Sequence, residues 1–137
     1  MRFLLDTNIF LDWLLENNTG HNEATKLVLS CLLDNDIEGY VTSHSLTDIF
    51  YILRKYHNLE QRKKFLLLIV YNFTILTEDT SKFVNVLNDT NFFDLEDGLQ
   101  IKCAEMANLD YIITENLKDF TTSKVPAIDL NSALKLI

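Results

Sequence analysis

The side chains with most chemistry to offer are carboxylates: 20 of the 137 residues are Asp or Glu. Four of them stand where the local pattern changes. Asp6 directly follows the apolar run Phe3-Leu4-Leu5, and Asp48 falls inside a segment of helical spacing that begins at Ser45. Asp97 follows Asp94 by three residues at the head of another such segment, and Asp119 lies five residues past Thr114. Ionised carboxylates brought within a few ångströms repel one another, so one takes up a proton or a cation binds between them. An oxygen-only ligand set favours Mg²⁺ or Mn²⁺. Such a metal polarises a phosphoryl oxygen, generates hydroxide from water and stabilises the leaving oxygen. The chemistry implied is hydrolysis of a nucleic-acid backbone or another phosphoester. No Ser, Cys or His nucleophile is required, and His21, His44 and His57 show neither H-E-x-x-H spacing nor a triad partner.

Whether these acids meet depends on the elements that carry them. Four short β-rich runs, Arg2 to Asp6, Gly39 to Thr42, Phe73 to Thr77 and Tyr111 to Thr114, predict strands. Helical spacing predicts helices over 22–33, 45–57, 59–71, 81–88 and 95–108. Pro126 introduces an edge strand at Ala127 and Ile128, followed by a short helix over 132–137. Strands alternating with helices require crossover connections, hence an α/β fold: one three-layer α/β/α domain over residues 1–137 with a mostly parallel sheet of four to five strands. Open parallel sheets bind ligands beyond the carboxyl ends of their strands. Asp6 ends the first strand, and Asp48 lies about a turn into the helix after the second. Asp97 opens the helix that leads into the fourth strand, and so starts at that strand's carboxyl side, while Asp119 follows the strand's end. Four separate segments thus deliver a carboxylate to one sheet edge.

Each acid also has an ordinary structural reading. Asp6-Thr7-Asn8 suits a helix cap, Ser45 and Asp48 have capping-box spacing, and Asp94 and Asp97 are spaced as cap and third helical residue. Only their joint placement argues for a site. However, the helix after Asp97 is apolar around most of its circumference, with Leu95, Leu99, Ile101, Cys103, Ala104 and Met106, which leaves little solvated face for its first-turn acids.

Composition sets the limits. A hydrophobic content of 47% with three Gly and one Pro excludes a disordered or fibrous chain. The formal charge of −8 excludes broad electrostatic coating of nucleic acid and a polybasic membrane surface. Phe65 to Tyr71, the longest apolar run, is too short to cross a bilayer, and the start of the chain carries no targeting pattern, so a soluble, cytoplasmic protein is expected. Cys31 and Cys103 have no zinc spacing and read as small core residues. Arg54, Lys55, Arg62, Lys63 and Lys64 form the one dense basic patch. With Tyr51, Tyr56 and His57 nearby, it is either a candidate RNA contact that tracks a backbone and stacks bases or a solvated corner between helices.

Leu4-Leu5-Asp6-Thr7-Asn8, Ser43-His44-Ser45-Leu46-Thr47-Asp48, Asp94-Leu95-Glu96-Asp97 and Ile113-Thr114-Glu115-Asn116 with Asp119-Phe120 together resemble the PIN domain, in its order and at similar spacing. The ordered set spans residue 2 to about 130 and looks most like the short single-domain VapC toxins. That resemblance implies a metal-dependent endoribonuclease, a homodimer, and a small antitoxin partner that blocks the acidic pocket. It implies that Asp6, Asp48 and Asp97 ligate Mg²⁺ or Mn²⁺ and that Asp119 completes the catalytic pocket. Asn116 would orient water or phosphate, Thr7, Asn8 and Thr114 would support the ligands, and Asp94 and Glu96 would act as caps or extra ligands. Three positions depart from the pattern: Asp48 replaces the commoner, longer Glu, Glu115 stands where a base is frequent, and Gly98 replaces a frequent Ala. The shortened Asp48 gives a competing expectation, a catalytically inactive PIN-like module that binds RNA or protein. Phosphotransfer folds fit less well; a haloacid-dehalogenase-like phosphatase wants Asp where this chain has Asn8.

Overall fold

The computed structural model describes residues 1–137. Its centre is set by strand β1 (Arg2–Leu5), whose Phe3, Leu4 and Leu5 are wholly buried. A strand buried on both faces must have strands on both edges and helices above and below. Strands β2 (Glu38–Thr42) and β4 (Tyr111–Ile113) flank it in parallel, with Phe3 opposite Gly39, Leu4 opposite Ile112 and Leu5 opposite Ile113. Strand β3 (Thr74–Leu76) adds to β2 and β5 (Ala127–Ile128) adds to β4, giving the order β3-β2-β1-β4-β5 with every pair parallel. The expected edge strand at Ala127 and Ile128 is present, and the sheet has five strands.

Alternation along β1 divides the core. Phe3 and Leu5 join a cluster of 19 buried residues built with helices α1 (Thr7–Leu14), α2 (His21–Leu33), α3 (Ser43–Ile52), α4 (Leu59–Asn72) and α7 (Leu130–Lys135). Leu4 points to the other face and packs with Tyr40, Ile112, Phe120, and Ile101 and Ala104 of helix α6 (Leu95–Met106). Helix α5 (Thr80–Leu87) lies against α6. Side-chain period two on the strand thus makes three layers. Gly39 is required at its place on β2, because a Cβ there would run into the Phe73 ring. Cys31 and Cys103 are buried and unpaired, each on a helix, as expected.

The helix boundaries carry three corrections. Helix α1 has no counterpart among the expected elements: it begins at Thr7 with no loop after β1, because Asp6 both ends the strand and caps the helix. The segment expected as one helix over 45–57 is α3 followed by a 3₁₀ turn at Leu53–Lys55. Since α3 begins at Ser43, Ser45 is inside the helix and does not cap it. The last helix starts at Leu130, two residues early, because Asp129 accepts a hydrogen bond from the Ser132 amide and fixes its start. No helix is long and apolar enough to cross a membrane.

Candidate active site

The chain lays β2 and β3 on one side of β1 and then returns to lay β4 and β5 on the other. The reversal leaves a crevice at the carboxyl ends of β1 and β4, where open parallel sheets take ligands. Asp6 stands there. Its amide extends the ladder by donating to the Ile113 carbonyl at 3.0 Å, and its side chain turns back under α1. Both carboxylate oxygens are engaged. Oδ1 accepts from the Thr7 amide at 2.7 Å and from Gln100 Nε2 at 2.8 Å, and Oδ2 accepts from Thr114 Oγ1 at 2.8 Å. At 5% exposure, a carboxylate with three donors is held in one orientation.

Thr114 ties this carboxylate to the next loop. Its fully buried hydroxyl donates to Asp6 and accepts from the Asn116 amide at 3.0 Å, so the turn after β4 is set by the group that orients Asp6. Asn116 itself is exposed and leads into a 3₁₀ turn, Leu117–Phe120, that presents Asp119 at the surface. Glu115, where the family pattern often has a base, accepts from the Leu130 amide at 3.0 Å and helps start α7. Thr7 Oγ1 donates to Ser45 Oγ at 2.8 Å, and Ser45 bonds Thr42 Oγ1 at 2.8 Å, a buried hydroxyl chain linking the carboxyl ends of β1 and β2. Asn8 is exposed on the first turn of α1.

Helix α6 delivers the second acid. Asp94 caps it by accepting from the Asp97 amide at 3.0 Å, so the plain capping role holds, and it also places two carboxylates side by side. Burial, reinforced by the charges of Asp94, Asp6, Asp119 and Glu96, pushes the Asp97 carboxyl up to about 7. Of the other three expected acids, Asp6 and Asp119 therefore stand close enough to act on Asp97. Asp48 takes a different place. It faces Glu96, whose carboxyl is raised first by burial, then by hydrogen bonding to Asp48 and by that group's charge. The shorter Asp48 thus joins the group beside Glu96.

Helix α3, which carries Asp48, is anchored from an unexpected direction. Thr42 gives it no side-chain cap. Instead Glu78, two residues past β3, accepts from the Ser43 hydroxyl and from the His44 amide at 3.3 Å, and pairs with His44 Nδ1 at 2.5 Å. Burial works to raise the Glu78 carboxyl, but the bonds from Ser43 and His44 outweigh it and hold it below the ordinary value. Sequence reading missed this clamp and Gln100. A polar signal existed for Gln100: it lies one turn beyond Asp97, between Leu99 and Ile101, on a helix that is apolar around most of its circumference. For Glu78 there was none, since its partners are 34 and 35 residues away.

The basic patch divides. Arg62 is half-buried, its guanidinium 4.6 Å from the Phe50 ring centre and donating to the Phe50 carbonyl. Arg54 lies over the exposed Tyr51 ring at 3.7 Å, and Lys55, Lys63 and Lys64 are exposed. Arg54 and Lys55 follow the C-terminal end of α3, a helix of about 15 Å whose other end is at the sheet's carboxyl edge.

No three Asp, Glu, His or Cys side chains already enclose a point where an ion would sit. The donor set nevertheless suits Mg²⁺ or Mn²⁺. It is all oxygen, its acids crowd until Asp97 holds a proton near neutrality, and such ions take one or two carboxylates while keeping several waters.

A five-stranded parallel sheet with a group of acids at its switch point defines a three-layer α/β domain with an acidic crevice. Residues 2–118 match the family model described as PIN domain, and the chain belongs to that family. Among solved structures, it is similar to VapBC2 from Rickettsia felis bound to a promoter DNA fragment, at 17% identity and a TM-score of 0.69, covering 94% of this chain and 98% of that one. A toxin-antitoxin complex from Klebsiella pneumoniae gives 19% identity and a TM-score of 0.67 over 93% and 96% of the two chains. Mycobacterium tuberculosis VapC20, described as a Sarcin-Ricin loop cleaving toxin, gives 9% and 0.65 over 80% and 86%. At these identities the likeness shows the fold. Among curated proteins, none matches the sequence significantly.

Proposed function

We propose that this PIN domain, one domain over residues 1–137, is a Mg²⁺- or Mn²⁺-dependent endoribonuclease and the toxin of a toxin-antitoxin pair. The observation that carries the proposal is the carboxylate group at the switch point, where Asp6 is fixed by three donors and Asp97 is crowded by four acids. Asp6 and Asp97 are the primary ligands, Asp119 closes the outer side, and Asp48 acts with Glu96 and Asp94 at the rim. A divalent ion bound there supplies the polarised phosphate and the activated water for phosphodiester hydrolysis. The protein's part is to hold Asp6 rigid through Gln100 and Thr114, to bring Asp97 to it on a capped helix, and to offer Asn116 beside the phosphate.

The similar structure from Klebsiella pneumoniae is described as a toxin-antitoxin complex, which supports an antitoxin partner here. The exposed Leu67, Leu68 and Tyr71 of α4, with Tyr51 of α3, offer apolar area for that partner or for a second copy in a homodimer. We assign the protein to the cytoplasm, where its RNA would be met, and Arg54, Lys55, Lys63 and Lys64 to backbone contacts at the edge of the bound strand, with Arg62 bracing them from Phe50.

The test is cleavage of single-stranded RNA with Mn²⁺. Asp6→Asn and Asp97→Asn each lower the rate by roughly 10³-fold, and unchanged cleavage by both sinks the assignment. The pairing of Asp48 with Glu96 favours a second reading, an inert PIN-like binding module. Wild-type protein that binds RNA but leaves it intact with Mn²⁺ would establish that reading instead.

A further inference from the structure

The loop before α6 carries two consecutive phenylalanines that behave oppositely. Phe92 is half-buried, its ring against Gly98 on the first turns of α6. A Cβ at Gly98 would stand 2.6 Å from Val86 Cγ1 and 3.4 Å from Phe92 Cδ2, so glycine here lets both side chains close on the helix. Phe93 is 99% exposed. The loop that presents it is tied at both ends: Asp89 accepts from the Asn91 amide at 2.8 Å, and Asp94 caps α6. Phe93 lines a small cleft of about 80 Å³ together with Asp97, Asp119, Lys118, Asn91 and Thr121. Asp94 and Thr122 line it too, so the cleft shares three acids with the candidate metal centre and adds one cation, three hydrogen-bonding side chains and one bare aromatic face.

We propose that this cleft is a nucleobase subsite, in which Phe93 stacks on a base of single-stranded RNA next to the scissile phosphate and Lys118 pairs with the adjoining phosphate. The inference rests on the endoribonuclease reading and adds a substrate-positioning role for a residue outside the acidic set. A ring with no protein neighbour offers a π-face that any base can use, and the lysine provides the one positive charge among the cleft's acids. Asn91 and Thr121 supply hydrogen-bonding partners for a base edge.

The test uses the full-length chain with Mn²⁺ and a 5′-labelled, mixed-sequence single-stranded RNA. Phe93→Ala raises KM roughly ten- to hundredfold, the loss of one stacked base, while kcat stays within about twofold. Phe93→Tyr and Phe93→Trp keep the wild-type KM, and Phe93→Leu falls with Ala, because stacking needs a flat ring. The Trp at position 93, read in a Trp13→Phe background because Trp13 is the sole native tryptophan, is quenched by added RNA. Wild-type KM in Phe93→Ala, or Leu performing as well as Phe, overturns the subsite. So does a Phe93→Ala defect confined to self-association or to antitoxin binding in light scattering. If wild-type protein neither binds nor cleaves the RNA, the ribonuclease reading fails and takes the subsite with it; if only the Phe93 series is flat, the subsite alone fails.

Discussion

The two halves of the acidic edge are built on opposite principles. Around Asp6 every carboxylate oxygen has a donor, from α1, α6 and the residue that follows β4, so the group is fixed before any ligand arrives. Around Asp97 the neighbours are other acids, and burial with four like charges holds its carboxyl near 7. One half is a finished socket and the other is frustrated, and a divalent cation is what would relieve it. The contrast explains why the same residue type does both jobs: Asp accepts three donors at a strand end as readily as it repels its own kind at a helix start.

Among changes that leave the acids themselves in place or probe their protonation, the largest expected effect comes from loosening the finished half. Gln100→Leu removes one donor from Asp6 and leaves the carboxylate buried with fewer partners. It lowers Mn²⁺-dependent cleavage about 10- to 100-fold and destabilises the fold by about 1–3 kcal/mol. Wild-type rate and thermal midpoint in that variant would show that Asp6 does not need its socket.

A smaller effect of opposite sign comes from the frustrated half. Because the folded-state value of about 7 lies above the ordinary 3.8, folded chains keep the Asp97 proton that unfolded chains release. That contribution to stability is complete below about pH 4 and is lost as pH rises through 7. Asp97→Asn, measured in chelator at pH 8, should therefore be more stable than wild type by about 1–2 kcal/mol once solvent screening at this half-buried site is allowed for. Adding Mn²⁺ raises the wild-type midpoint and leaves the variant's unmoved. A destabilised Asn variant under those conditions would mean that Asp97 is not frustrated.

The smallest effect concerns the clamp that supports Asp48. Glu78→Gln weakens its bonds to Ser43 and His44 and costs about 1 kcal/mol by denaturant unfolding. Since the Glu78 carboxyl sits below its ordinary value, the clamp's contribution is present above that value and fades as pH falls through the folded one, the reverse of Asp97. Identical acid slopes for Glu78→Gln and wild type would remove that difference between the two acids.

Much of this was legible in the sequence for a local reason. A strand such as Phe3-Leu4-Leu5, apolar at successive positions and followed at once by Asp6, can only be a central parallel strand with its acid at the carboxyl edge. Alternation of strands and helices then gives the layers, and the cap spacing of Asp94 and Asp97 gives the start of α6. Helix α1 escaped notice because it is eight residues long and shares its cap with the strand end. Ser45 was misread because capping-box spacing is satisfied by residues inside a helix whose true cap comes from elsewhere.

The amino-acid sequence by itself determined the fold class, the parallel sheet and the strand end at which Asp6 stands, because periodicity and strand ends are properties of neighbouring residues. Tertiary structure alone decided which acids meet. Asp6 receives Gln100 and Thr114 from 94 and 108 residues away, Asp48 faces Glu96, and Glu78 holds α3 by its first two residues. Those pairings depend on strand register and helix rotation to within an ångström or so, and spacing along a chain carries no record of them.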